Sequence, residues 1–140
     1  MRRNCALRDE RGTALPATIG LMMVGLLMVG LVFELSSWAS LWRETNFVAE
    51  AAAEAGAATI DLATLRSGSV DLAPDVAVPS AVAAGNAARP RPNRVITAAL
   101  VSPDTICVDV AQEYSSALLG LFGVGSLQVS ATACASPARG

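Results

Sequence analysis

The chain contains no histidine and no lysine, and aromatic residues make up only 4% of its 140 positions. Without histidine it lacks the side chain most often used as a general base and metal ligand near neutral pH. There is also no nucleophile-elbow G-x-S-x-G, no phosphate-binding loop and no pair of carboxylates in a setting that would perturb their pKa values. No catalytic residue and no cofactor site is therefore assigned, and the two thiols Cys107 and Cys134, with no histidine anywhere, are a poor metal-ligand set. At this length, only one small soluble domain can accompany a membrane segment, so a large catalytic architecture is excluded. Long basic runs are missing too. Arg89, Arg91 and Arg94 form a short patch between prolines, read as solvated loop, and nothing points to nucleic acid.

The dominant positive feature is the run 13–33, 21 residues without a charge. As a helix it covers ~30 Å, the hydrocarbon thickness of a bilayer. The preceding tail, MRRNCALRDERG, carries four arginines, which hold that end on the cytoplasmic side and place the remainder outside. The run exceeds the length of a typical signal peptide h-region, so a retained anchor is expected over a cleaved signal, for which Ser37 and Ala39 would supply the small-x-small site. Glu34 marks the boundary between hydrocarbon and headgroups, and Trp38 and Trp42, one helical turn apart, resemble an interfacial aromatic belt. Glu34, Trp38 and Trp42 are accordingly the expected interface residues. Gly20, Gly25 and Gly30 recur every five residues and so do not share one face as a dimerisation motif would.

From Trp42 to Arg66 the chain has no proline and is dense in alanine. The periodicity predicts that the membrane helix continues as a stalk. Phe47, Ala51, Ala55, Ala58 and Leu62 would form its inner face, Glu50 and Glu54 its solvated side, and Gly68 its stop. Residues 68–93 read as a Pro-rich linker with a short helix around 80–88. Three strands are expected at 94–101, 105–110 and 126–134, the first two joined by a turn at Ser102, Pro103 and Asp104. Ile106, Val108 and Val110 share one face of the second strand, and Leu127, Val129, Ala131 and Ala133 one face of the third. This apolar face should pack on the stalk. The connection SALLGLFGVGS, with Leu118, Leu119, Leu121, Phe122 and Val124, reads as a buried loop or an exposed apolar contact.

The expected fold class is therefore α+β, a long N-terminal transmembrane-plus-stalk helix followed by a small antiparallel sheet of about three strands. Its expected segments are a cytoplasmic tail 1–12, a membrane helix and interface 13–42, a stalk 43–67, a linker 68–93 and a strand-rich domain 94–140. Cys5 lies in the cytoplasmic tail, where thiols stay reduced. Cys107 and Cys134 both fall in the exported part and on the polar strand faces, so a disulfide between them is expected.

The succession of ERG, TALPATIGLMMVGLLMVGLVF, the alanine-rich NFVAEAAAEAGAATID and a strand-rich tail resembles the TadE/TadG-like minor pilins and pseudopilins of tight-adherence (Flp-type) pilus systems. The resemblance is strongest to versions from high-GC Gram-positive bacteria. It implies a non-enzymatic pilin-like or pilus-assembly protein, a single-pass cell-membrane protein that assembles through its N-terminal helix. Its implied partners are the lipid bilayer, other pilin-like subunits and pilus-assembly membrane proteins, and a prepilin peptidase. On the family pattern the peptidase cuts after Gly12, leaving Thr13 as the new N-terminus; Ala17 stands where the pattern has a glutamate. The alternative function is a membrane-anchored or secreted extracellular binding module.

Overall fold

A computed structural model describes residues 14–116, 120, 123 and 125–138. The element order is α1 (Ala14–Ala57), α2 (Leu62–Arg66), α3 (Pro74–Ala88), β1 (Arg94–Ser102), β2 (Thr105–Ser115) and β3 (Ser126–Ala135). This is an α+β arrangement in which one long helix precedes a three-stranded antiparallel sheet of order β1-β2-β3.

α1 runs for 44 residues, ~66 Å at the usual helical rise. Pro16 sits in its first turn, where a missing N–H costs least. Among the described residues, this is the one helix long and apolar enough to cross a membrane. Its large side chains from Ile19 to Phe33 are all more than half exposed, with Leu21, Met22 and Leu26 each at 75%.

The helix stops sooner than its composition suggests. Instead of continuing to Arg66 it ends at Ala57, where the Thr59 hydroxyl donates to the Gly56 carbonyl at 2.7 Å. Asp61 then caps α2, accepting the Ala63 N–H at 2.8 Å. Gly68, at φ +91°, closes α2 rather than α1. The Ser69 N–H bonds to the Thr64 carbonyl and the Gly68 N–H to the Leu65 carbonyl, the paired bonds of a Schellman cap.

This reversal brings α3 back against α1. α3 is a packed 15-residue helix, whereas the sequence suggested a linker with a shorter helix. Pro74 opens it, and Pro79 lies inside it without ending it, because that turn is on the exposed side and the carbonyl left without a donor can face water. Ala77, Ala81 and Gly85, at four-residue spacing, are its buried stripe. A Cβ on Gly56 would lie 2.7 Å from Ile106 Cδ1 and 3.1 Å from Ala81 Cβ, and one on Gly85 2.8 Å from Ile96 Cδ1. The two helices therefore meet where hydrogen replaces a methyl.

The face of α1 that enters the core also differs from the expected one. Thr45, Val48, Ala49, Ala52, Ala53, Gly56 and Ala57 are buried, while Phe47 and Leu62 are exposed and Ala51 and Ala55 lie on the flank. Alanine on every side of the stalk left its periodicity ambiguous, and the sheet and α3 selected the stripe. Glu50 and Glu54 face solvent, as expected.

Ile106, Val108 and Val110 of β2 are fully buried against that stripe, joined by Val129 and Ala131 of β3. The β1–β2 hairpin turns through Pro103 and Asp104, with Ser102 opposite Thr105. Strands β1, β2 and β3 contain the three expected segments, with β2 extending on to Ser115. Cys107 faces Cys134 in the β2–β3 register, with Cα atoms 4.0 Å apart, and the two form a disulfide on the sheet face away from the core. The residues Leu118, Leu119, Leu121, Phe122 and Val124 of the β2–β3 connection lie outside the described residues, as do Cys5, Gly12 and Thr13.

Candidate assembly site at the neck of the helix

β2 runs antiparallel to α1, so its end reaches back toward the apolar half of the helix. Ile106 meets α1 at Gly56, whereas Tyr114, near the end of β2, meets it at Glu34. The Tyr114 hydroxyl lies 3.1 Å from Glu34 Oε1 and 3.3 Å from the Glu34 carbonyl. Glu34, the single acid of residues 13–42, is only 8% exposed. It is thus covered by the head of the molecule rather than bared at the boundary. Burial, and then the hydrogen bond and charge of Glu34, push the Tyr114 hydroxyl above its ordinary pKa.

Above this contact an open cleft of about 580 Å³ separates α1 from the end of β2, lined by Phe33, Ser37, Leu41, Arg91, Glu113 and Tyr114 among others. Ser36 and Ser37 donate their hydroxyls to the carbonyls of Val32 and Phe33, and Ser37 also engages the Tyr114 hydroxyl, which partly offsets its upward shift. Trp38 and Trp42 remain 43% and 48% exposed just beyond Glu34.

About three turns beyond Glu34, Glu44 ties the head to the neck. Arg91 grips it bidentately, Nε to Oε1 at 2.8 Å and Nη2 to Oε2 at 2.7 Å. Arg94 Nη2 adds a bond to Oε1 at 2.8 Å, and the Arg94 side chain, 1% exposed, also bonds Gln112 Oε1 and the Arg89 carbonyl. Asn93, at φ 65°, bends the chain between the two arginines so that both guanidiniums reach one carboxylate. Partial burial pushes the Glu44 carboxyl up, but the hydrogen bonds and charges of Arg94 and Arg91 outweigh it and hold the group below the usual glutamate value.

Arg91 and Arg94 are therefore structural clamps and not the solvated loop that their sequence neighbourhood suggested. Glu44, Gln112 and Tyr114 escaped the sequence reading, since partners 47, 50 and 80 residues apart leave no local periodic signal. Among the described residues no three or more His, Cys, Asp or Glu side chains converge as a metal site would require. What the neck can do is mechanical: its ion pairs and hydrogen bonds tie the head to α1 at one height and leave the large apolar side chains from Ile19 to Phe33 uncovered.

Residues 34–135 match the family model Tad_C, described as Tad-like Flp pilus-assembly. The match starts at Glu34, includes Trp38, Trp42 and the Glu44 clamp, and ends at the last residue of β3. No curated protein and no solved structure matches the chain.

Proposed function

This chain belongs to the Tad-like Flp pilus-assembly family, and from that premise we propose that it is a membrane-inserted, minor pilin-like subunit without enzymatic activity. The observation that carries this reading is the division of α1. Its N-terminal half exposes the large apolar side chains from Ile19 to Phe33, and its C-terminal half is the spine of a folded head. An apolar helix satisfies its own backbone hydrogen bonds, so it is stable both in lipid and in a bundle of like helices. The same segment can then serve as anchor before assembly and as packing surface afterwards. The neck, with Glu34, Trp38 and Trp42, sets how deep the helix sits and which part of it neighbours can reach. In this reading the arginine-rich tail is cytoplasmic, the head is outside, and a prepilin peptidase releases residues 1–12 by cutting between Gly12 and Thr13.

The test is made in cells that build the whole pilus. With Val24→Cys in the apolar half, oxidative cross-linking should join this chain to pilin subunits or assembly membrane proteins, and deleting the gene should reduce or abolish piliation. Normal piliation in the deletion, with loss only of attachment to an extracellular ligand, would favour the anchored binding module instead. A reporter active only outside the membrane, fused after Gly68, checks the orientation.

A further inference from the structure

We propose that the neck carries a binding site for a lipid-headgroup phosphate, formed by Arg43 of α1 and Arg89 at the end of α3. The proposal rests on the membrane reading above. The two residues are 46 positions apart in the chain and share one groove of about 240 Å³ with Ser40, Glu44 and Phe47. Four guanidiniums surround this part of the neck, those of Arg43, Arg89, Arg91 and Arg94, against the single carboxylate of Glu44 within the groove. That carboxylate is already gripped by Arg91 and Arg94. Among the described residues, no hydrogen bond or ion pair engages the side chains of Arg43 and Arg89, and both residues are exposed. Their backbone setting is nevertheless fixed. Arg43 lies within a continuous helix, and the Arg89 carbonyl accepts a hydrogen bond from the buried Arg94 guanidinium.

The height of the groove identifies the ligand. A hydrocarbon span that begins at Pro16 and runs ~30 Å ends near Leu35. Ser40 is then ~7 Å and the Arg43 backbone ~12 Å beyond it, and helical side chains lean toward the N-terminus, here toward the membrane. With a headgroup layer of ~5–7 Å on each side, a leaning arginine reaches phosphate level. A guanidinium fork matches the paired oxygens of a phosphodiester. Trp38 and Trp42, at the same level, suit the same layer.

The full chain is reconstituted in nanodiscs of phosphatidylcholine containing a minor share of phosphatidylglycerol, with either lipid brominated near the headgroup in turn. Trp38 and Trp42 are the only tryptophans, so their quenching reports which lipid lies beside the neck. The anionic lipid should be enriched there by roughly five-fold over its bulk share. Arg43→Gln with Arg89→Gln should remove the enrichment and leave the head folded, as shown by circular dichroism and an intact Cys107–Cys134 bond. Arg66→Gln, in α2 near the far end of α1, should leave the enrichment unchanged. Equal quenching by both lipids, or enrichment that survives the double substitution, overturns the proposal. Its abolition by added inorganic phosphate would assign the arginines to a free anion and overturn the lipid assignment. An absence of quenching by either lipid overturns the membrane placement itself, a failure distinct from the others.

Discussion

The two halves of α1 reverse the usual relation between size and burial. In the N-terminal half leucine, methionine, valine and phenylalanine face outward, whereas in the C-terminal half the buried residues are alanine, glycine, valine and one threonine, with Leu41 the one buried large side chain, next to the neck. On the proposed reading the first half has lipid or neighbouring helices as its surroundings, so it gains by presenting large apolar surface. Beyond Leu41 the second half lies within van der Waals reach of α3 and the sheet, and its alanine and glycine residues permit that approach. One continuous helix is thus matched to two environments, with Glu34 and Tyr114 at the junction.

The comparison can be broken most severely from the head side. Removing the disulfide with Cys107→Ser should destabilise the head by about 3.5 kcal/mol through loss of the cross-linked loop. Limited proteolysis should then cut within 94–138 while leaving the apolar helix protected by lipid. Equal resistance of variant and parent would show that the thin alanine-rich core suffices alone.

A matched pair of glycine substitutions tests the division directly. Gly56→Val should cost about 2–3 kcal/mol, since its Cβ already meets Ile106 and Ala81 too closely. Gly25→Val in the apolar half should be close to neutral, because nothing lies within 4 Å of a Cβ there. Thermal melting of the head in membranes reads both. A large loss at Gly25 would instead show that its open face is needed by a partner.

Glu44→Gln should cost about 2 kcal/mol, less than a full buried-pair break because the amide oxygen still accepts a bond and Arg91 is half-exposed. It should also change the pH response. The folded-state value of Glu44 lies below the ordinary 4.5, so its contribution is complete above that pH and is lost as pH falls through the lower folded value. The parent should weaken across that acid range, and the part of the loss due to Glu44 should disappear in the variant.

The smallest effect is expected at the junction. Tyr114→Phe removes one hydrogen bond, about 1 kcal/mol, and should loosen the head at its membrane end, seen as faster amide exchange near Ser115. With its pKa raised, Tyr114 contributes below pH 10.0 and the contribution fades as pH rises through the higher folded value. The variant should lack that alkaline step.

The chain's own residues were sufficient to indicate the membrane-length helix, the three strands and the pairing of Cys107 with Cys134. Each follows from a local rule: a run without charge, alternation along a strand, or compartment and parity of thiols. Tertiary structure alone decided that α1 ends at Ala57, that α3 passes through Pro79, which stripe of a uniformly alanine-rich helix is buried, and that Glu34 and Glu44 are engaged by Tyr114, Arg91 and Arg94. Those outcomes depend on which surfaces meet across dozens of residues. Alanine's small size leaves several such meetings open until the sheet and the returning helix exclude all but one.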